Sequence, residues 1–85
     1  MYEIRILDGA IRDLKRLDKF TGRRIVKRIN WLAENFDNVQ QMQLAHNLSG
    51  LYKLRVGNYR VFYQPLENES VLVIHQVGHR RDIYK

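Results

Sequence analysis

The sequence predicts an α+β fold in which two N-terminal helices pack on one face of a small, mainly antiparallel four-stranded sheet, in the order β-α-α-β-β-β. Three observations predict it. Residues 2–7 alternate with a period of two, residues 11–36 carry apolar stripes at helical spacing, and from Leu51 onward the period returns to two around a Gly-Asn turn. Eighty-five residues are enough for one domain, 1–85, with a modest core, and leave no room for separate catalytic and binding modules.

The first strand covers residues 2–7, where Tyr2, Ile4 and Ile6 alternate with Glu3, Arg5 and Leu7 as on a strand with one buried face. Asp8 offers a side-chain oxygen to cap a helix, and Ile11, Leu14 and Leu17 form an apolar stripe between Arg12, Asp13, Lys15 and Arg16. Thr21 is the candidate cap of a second helix that runs to Asn35 or Phe36. Its apolar positions are Ile25, Ile29, Leu32, Ala33 and Phe36, while Arg23, Arg24, Lys27 and Arg28 fill much of the rest. Residues 37–50 are polar with scattered Val39, Met42 and Leu44; no period dominates, and the segment is expected mostly as loop. Residues 51–56 and 59–64 are rich in β-branched and aromatic side chains and flank Gly57-Asn58, a dipeptide suited to a two-residue hairpin turn that needs positive φ. Pro65 is expected to end the second of these strands, because it has no N–H to donate to a ladder. Residues 67–69 read as a turn, and 71–77 are apolar enough to form a central strand covered on both faces.

With Gly57 and Asn58 as the turn, pairing sets Val56 opposite Tyr59, Arg55 opposite Arg60, Leu54 opposite Val61, Lys53 opposite Phe62 and Tyr52 opposite Tyr63. One face then collects Tyr52, Leu54, Val56, Tyr59, Val61 and Tyr63 for the helices, and the other carries Lys53, Arg55, Arg60 and Phe62. Like charges directly opposed destabilise a sheet, so stability alone does not select an Arg55–Arg60 pair. Two guanidiniums and an ammonium on a rigid hairpin suit a phosphate, since Arg grips its oxygens bidentately and Lys acts as a point charge. Phe62 is a candidate stacking surface for a base. The same four residues also fit a merely solvated sheet face, and the pattern leaves both readings open. The tail, residues 78–85, adds His79, Arg80, Arg81 and Tyr84, and its interruption by Ile83 and Tyr84 suggests that it docks.

Fifteen Lys and Arg against nine Asp and Glu give a formal charge of +6, which attracts nucleic acid, anionic membrane or an acidic protein without choosing among them. The absence of cysteine excludes a disulfide framework and a thiolate zinc site and fits a reducing, cytoplasmic compartment. His46, His75 and His79 lie far apart without the spacing that sets two ligands on one helical face, so no metal site is expected. His46 is expected on a loop surface and His75 in a strand, satisfied by a neighbour. No signal-peptide pattern and no apolar run of spanning length is found, so the chain is expected to be soluble and to meet no membrane.

The block Leu51-Tyr52-Lys53-Leu54-Arg55-Val56-Gly57-Asn58-Tyr59-Arg60-Val61-Phe62-Tyr63, followed by Val77-Gly78-His79-Arg80-Arg81-Asp82-Ile83-Tyr84, resembles the RelE branch of the RelE/ParE superfamily of type II toxins. The specific parts are R-V-G-x-Y-R and G-H-R-x-x-x-Y. The resemblance implies a cognate antitoxin that wraps the toxin, and metal- and cofactor-independent cleavage of messenger RNA in the ribosomal A site, which inhibits translation. In that chemistry a ribose 2′-hydroxyl attacks the adjacent phosphate, so the protein must help remove a proton, stabilise the phosphorane and assist the departing 5′-oxygen. Carried over by position, the resemblance implies catalytic roles for Lys53, Arg55, Arg60, Arg80 and Tyr84; His79, where the best-known members place lysine, is a further catalytic candidate from its own chemistry. From their own chemistry Lys53, Arg55, Phe62 and Arg81 are candidate RNA contacts, and Lys27 and Arg28 of the second helix are expected to meet ribosomal RNA or the antitoxin. Charge stabilisation suits Arg60 and Arg55, because arginine stays protonated. The base is open between His79, a residue type that titrates around neutral pH, and Lys53. Tyr84 is expected to stack. Neither block carries the glutamate base used by some relatives, which limits the chemistry to His, Lys, Arg and Tyr.

Two other readings share the fold or the charge. ParE-like toxins poison DNA gyrase through protein contacts, and a non-catalytic nucleic-acid-binding module needs no reacting groups. The chain shows no helix-turn-helix, so operator DNA is expected to be met only through the antitoxin.

Overall fold

The computed structural model of the protein describes residues 1–38, 42–43 and 50–83. In chain order the elements are β1 (Glu3–Ile6), α1 (Asp8–Lys15), α2 (Lys19–Glu34), a 3₁₀ turn (Phe36–Asn38), β2 (Met42–Gln43), β3 (Tyr52–Val56), β4 (Tyr59–Leu66), β5 (Val71–His79) and α3 (Arg80–Ile83). The described strands form one sheet in the order β1-β5-β4-β3-β2, with β1 parallel to β5 and every other pair antiparallel. The predicted α+β order and helix-covered sheet are therefore present, with the 3₁₀ turn, β2 and α3 added. The two-residue β2 lies in the segment expected as loop; a strand this short carries no readable period. His46 and Tyr84 lie outside the described residues.

Both helix starts differ from the sequence expectation. Asp8 is the first helical residue of α1 rather than its cap, and Leu7 occupies the capping position without a side-chain bond. An acidic residue in the first turn still favours the helix through its dipole. For α2 the cap is Asp18, whose carboxylate accepts the Thr21 N–H at 3.1 Å, so Thr21 is the served residue and not the cap. Hydrogen bonding to Thr21 holds the Asp18 carboxyl below its ordinary pKa. At the other end Asn35 closes α2, with both its backbone N–H and its side-chain amide donating to the Trp31 carbonyl.

Ile25, Ile29, Leu32 and Ala33 of α2, with Ala10 of α1 and Phe36, pack on Leu54, Val56, Val61, Tyr63, Leu72, Ile74 and Val77 of the sheet. The small Ala10 has no exposed surface, which lets α1 sit close against β5. Val71, Leu72, Val73 and Ile74 are all buried, as expected of an interior strand covered on both faces. Pro65 does not end β4: it pairs with Leu72 inside the strand. Pairing with β3 stops at Tyr63, so among the described strands Pro65 has only β5 beside it and a missing N–H is tolerated.

β5 contains a bulge. Phe62 pairs with Gln76 but Tyr63 pairs with Ile74, so His75 is skipped, and its Nε2 lies 3.1 Å from the Gln64 side-chain oxygen. An extra residue flips the alternation of everything beyond it. Leu72 and Ile74 face the helices before the bulge, and Val77 does so after it. The Val77 N–H donates to the Asp13 carboxylate at 3.0 Å, tying the bulged strand to α1.

The hairpin turn has positive φ at Gly57, 61°, and not at Asn58. A Cβ at Gly57 would stand 3.2 Å from the Arg24 guanidinium. Gly57→Ala is expected to lower stability by roughly 1–2 kcal/mol through left-handed backbone strain, measurable by urea denaturation. An unchanged midpoint would mean that the turn relaxes freely.

Candidate nucleic-acid interface

β3 and β4 pair in the predicted register, with Arg55 opposite Arg60, Lys53 opposite Phe62 and Leu54 opposite Val61. The face that carries Lys53, Arg55, Arg60 and Phe62 is not uniformly solvated, however. Arg55 is exposed and Lys53 half-buried, while Arg60 and Phe62 are only 8% and 6% exposed. Phe62 is therefore no open stacking platform. Its cross-strand partners are Lys53 and Gln76, whose long stems are suited to covering a ring.

Arg60 is the buried charge of the hairpin. Its Nη1 donates to the Tyr59 carbonyl at 3.1 Å and the Gly57 carbonyl at 3.3 Å, which curls the guanidinium back over the turn. Its Nε is buried with no hydrogen-bond partner among the described residues. Across β5 the residue opposite Arg60 is Gly78, which has no side chain to fill the neighbouring space. A buried cation held by neutral carbonyls with a donor left over is costly, and that cost is offset when an anion binds.

The tail is brought to this hairpin. The Arg80 N–H donates to the Asn58 carbonyl at 2.9 Å, anchoring the start of α3 to the turn. Arg80 and Arg81 are exposed. His79 is separated from Arg60 by the sheet: it pairs with Tyr59, whose ring it meets edge-on at 5.3 Å, on the face that packs against the helices. There it shares a cavity of ≈ 410 Å³ with Asp13, Arg16, Tyr59 and Gln76. Its Nδ1 accepts the Arg81 N–H at 3.2 Å, which leaves the proton of the neutral ring on Nε2. The structure thus groups Lys53, Arg55 and Arg60 on one face with Arg80 tied to the turn, and sets His79 on the other.

Arg24 and Trp31, which carry no site signal in the sequence, also belong to the basic surface. Arg24, Lys27, Arg28 and Trp31 follow each other at i, i+3, i+4 and i+7, and so share one stripe of α2 beside its apolar stripe. Together with Arg55, Val56 and Gly57 they line a cleft of ≈ 350 Å³ between α2 and the hairpin. The spacing was readable; that the stripe meets the hairpin was not.

Residues 4–84 match the family described as the ParE toxin of type II toxin–antitoxin systems. Among solved structures, the toxin–antitoxin complex RelBE2 from Mycobacterium tuberculosis is similar at 29% identity, with 93% of this chain and 98% of that chain covered and a TM-score of 0.82. The isolated E. coli RelE toxin is similar in fold at 18% identity, with 93% and 84% covered and a TM-score of 0.77. The E. coli DinJ–YafQ complex is similar in fold at 12% identity, with both chains fully covered and a TM-score of 0.75. No curated protein sequence matches the chain. A family match over nearly the whole length, carried on the expected sheet, hairpin and tail, makes this chain a member of the ParE toxin family, a RelE/ParE-type toxin of a type II toxin–antitoxin system.

Proposed function

We propose that the chain is an endoribonuclease that cuts messenger RNA in the ribosomal A site and so stops translation in the cytoplasm. The observation that carries this reading is Arg60: a buried guanidinium with an orphaned Nε, opposite Gly78, on the face shared with Arg55 and Lys53. A phosphate entering beside Gly78 gives that donor an acceptor. The ribose 2′-oxygen attacks phosphorus as its proton passes to a base, and the 5′-oxygen leaves and takes up a proton, producing a 2′,3′-cyclic phosphate. Arg60 and Arg55 hold the added charge of the phosphorane. Lys53 is the base on that face. Arg80, anchored at Asn58, supplies a further cation at the turn, and Arg81 contacts the strand outside the cut. His79 holds the tail in position through its Nδ1 and Tyr59, and Tyr84 stacks on a base. Side-chain cations supply the charge stabilisation, so the reaction as written uses no metal.

Purified protein incubated with programmed ribosomes is expected to yield new messenger ends within the A-site codon. Because the matched family is that of ParE toxins, DNA gyrase supercoiling is the second assay. Intact messenger with inhibited gyrase would replace the nuclease reading with the ParE-like one.

The partner in this reading is a cognate antitoxin, which also supplies the contact with operator DNA. RelBE complexes from Mycobacterium tuberculosis, E. coli, Pyrococcus horikoshii and Methanococcus jannaschii are among the similar structures. A groove of ≈ 560 Å³ between α1 and α2 has Ile11, Leu14 and Val26 in its lining and Lys15, Lys19, Arg23 and Lys27 around them. That chemistry fits an amphipathic acidic segment. Val26→Asp, at a position 40% exposed, is expected to weaken antitoxin binding roughly tenfold or more by calorimetry. Unaltered affinity would move the antitoxin off this groove.

A further inference from the structure

We infer that the cleft between α2 and the hairpin is a second RNA site, which takes a single-stranded segment flanking the cut. This rests on the RNA-cleaving reading of the hairpin and extends it to Arg24, Lys27, Arg28 and Trp31, which set their stripe against Arg55, Val56 and Gly57. Among the described residues that line it, four of seven are cations and none is acidic. Such a lining attracts a polyanion.

The cations are held in different ways that suit a phosphodiester strand. The Arg24 guanidinium lies against the turn at the spot where Gly57 lacks a Cβ, 3.2–3.3 Å from where that atom would be, so glycine makes room for a fork of donors at the hairpin tip. Arg28 stacks its guanidinium over the Trp31 ring, 4.2 Å from the centroid. Trp31 remains 40% exposed, an unusual surface fraction for so large an apolar ring. A base offers such a platform a flat π-face, and its phosphate offers an anion to the neighbouring cations. Base faces are open only in single strands, because a duplex stacks them away. An acidic segment instead finds its apolar floor in the α1–α2 groove.

Arg55 makes the two sites continuous. It belongs to the hairpin face opposite Arg60 and also lines the cleft. RNA held at Arg60 and Arg55 is thereby brought within reach of Trp31 on the helix side. Its phosphates meet Arg24 and Lys27, and one base stacks on the indole.

Trp31 is the chain's single tryptophan, so its fluorescence reports the site directly. The probe is a 2′-O-methyl RNA of about ten nucleotides, a length within the range of single-strand sites, which has no free 2′-hydroxyl and cannot be cut by 2′-attack. It is expected to quench Trp31, while a poly-glutamate peptide of equal charge leaves the emission unchanged. Trp31→Ala should weaken RNA binding roughly five- to hundredfold, read by anisotropy, as for loss of one stacked base. Arg24→Gln should lower the slope of log affinity against log salt by about 0.7, one phosphate contact of a single strand. Arg5→Gln, exposed on β1 at the opposite edge of the sheet, should change neither quantity. Absent quenching, wild-type affinity in both cleft variants, or equal quenching by poly-glutamate or by duplex RNA overturns the proposal. Failure of the nuclease reading looks different: programmed ribosomes keep their messenger intact while RNA still quenches Trp31.

Discussion

Arg60→Ala is expected to slow messenger cleavage on programmed ribosomes by roughly a hundred- to thousandfold, the usual effect of deleting one preorganised donor to a developing anion. The guanidinium is preorganised because two carbonyls of its own hairpin fix it before any ligand arrives, so no reorganisation is needed as charge builds on phosphorus. Arg60→Lys keeps the charge but loses the planar fork and is expected to recover little of the rate. Stability should move much less. The two carbonyl bonds of the guanidinium oppose the cost of its buried Nε, which has no described partner, so removing it is expected to change Tm little. A variant that cuts within threefold of wild type would remove Arg60 from the chemistry. One that loses activity only because it has unfolded would show that loss in the melting curve.

Tyr63→Ala is expected to cost about 3–5 kcal/mol, the range for deleting a large buried ring, out of a total of roughly 5–15 kcal/mol for a domain. Tyr63 is 1% exposed on β4, the middle strand of the described sheet. Its ring stacks on Tyr52 at 5.9 Å and meets Phe36 edge-on at 6.5 Å, so it joins the hairpin to the segment that follows α2. Urea denaturation should show a clearly lowered midpoint for the alanine variant. Tyr63→Phe keeps the packing and isolates the hydroxyl, which burial first, and the nearby Tyr52 second, push up to about 12. An unfolded tyrosine ionises near 10, so between pH 10 and 12 the unfolded chain sheds a proton that the native chain keeps. Stability from this group is fully present below pH 10 and falls as pH rises through that window. The phenylalanine variant should lose less stability than wild type between pH 9 and 11.5; equal losses would show that the Tyr63 hydroxyl is no harder to ionise than in the unfolded chain.

Much of the hairpin was legible because its determinants are local. Gly57-Asn58 fixes the turn, alternation fixes the faces, and together they yield the observed register from Tyr52–Tyr63 to Val56–Tyr59. The apolar stripe from Ile25 to Phe36 likewise identified the side of α2 that reaches the core. Errors gathered where the deciding partner is distant or the choice is between near neighbours. Asp18 and Thr21 both carry capping chemistry, and which residue leaves the helical path depends on how the chain turns from α1. Pro65 reads as a strand end unless it is known that β3 has already stopped beside it.

The candidate site divides along the same line. From the sequence alone came the cationic set Lys53, Arg55, Arg60, Arg80 and Arg81, since charge and two-residue spacing need no third dimension. Tertiary structure alone decided which of them is buried, what the tail touches and where His79 lies. His79 shows this most directly. Unbroken alternation from Ile74 would put it on the face opposite that residue, yet the skipped His75 turns it toward the helices with Tyr59 and Val77. The bulge is decided by packing on both sides of β5 and by Asp13, sixty-four residues away from Val77 in the chain, taking that strand's N–H. A one-residue slip reverses every side chain beyond it, and pairing between elements, rather than any local period, sets where the slip occurs.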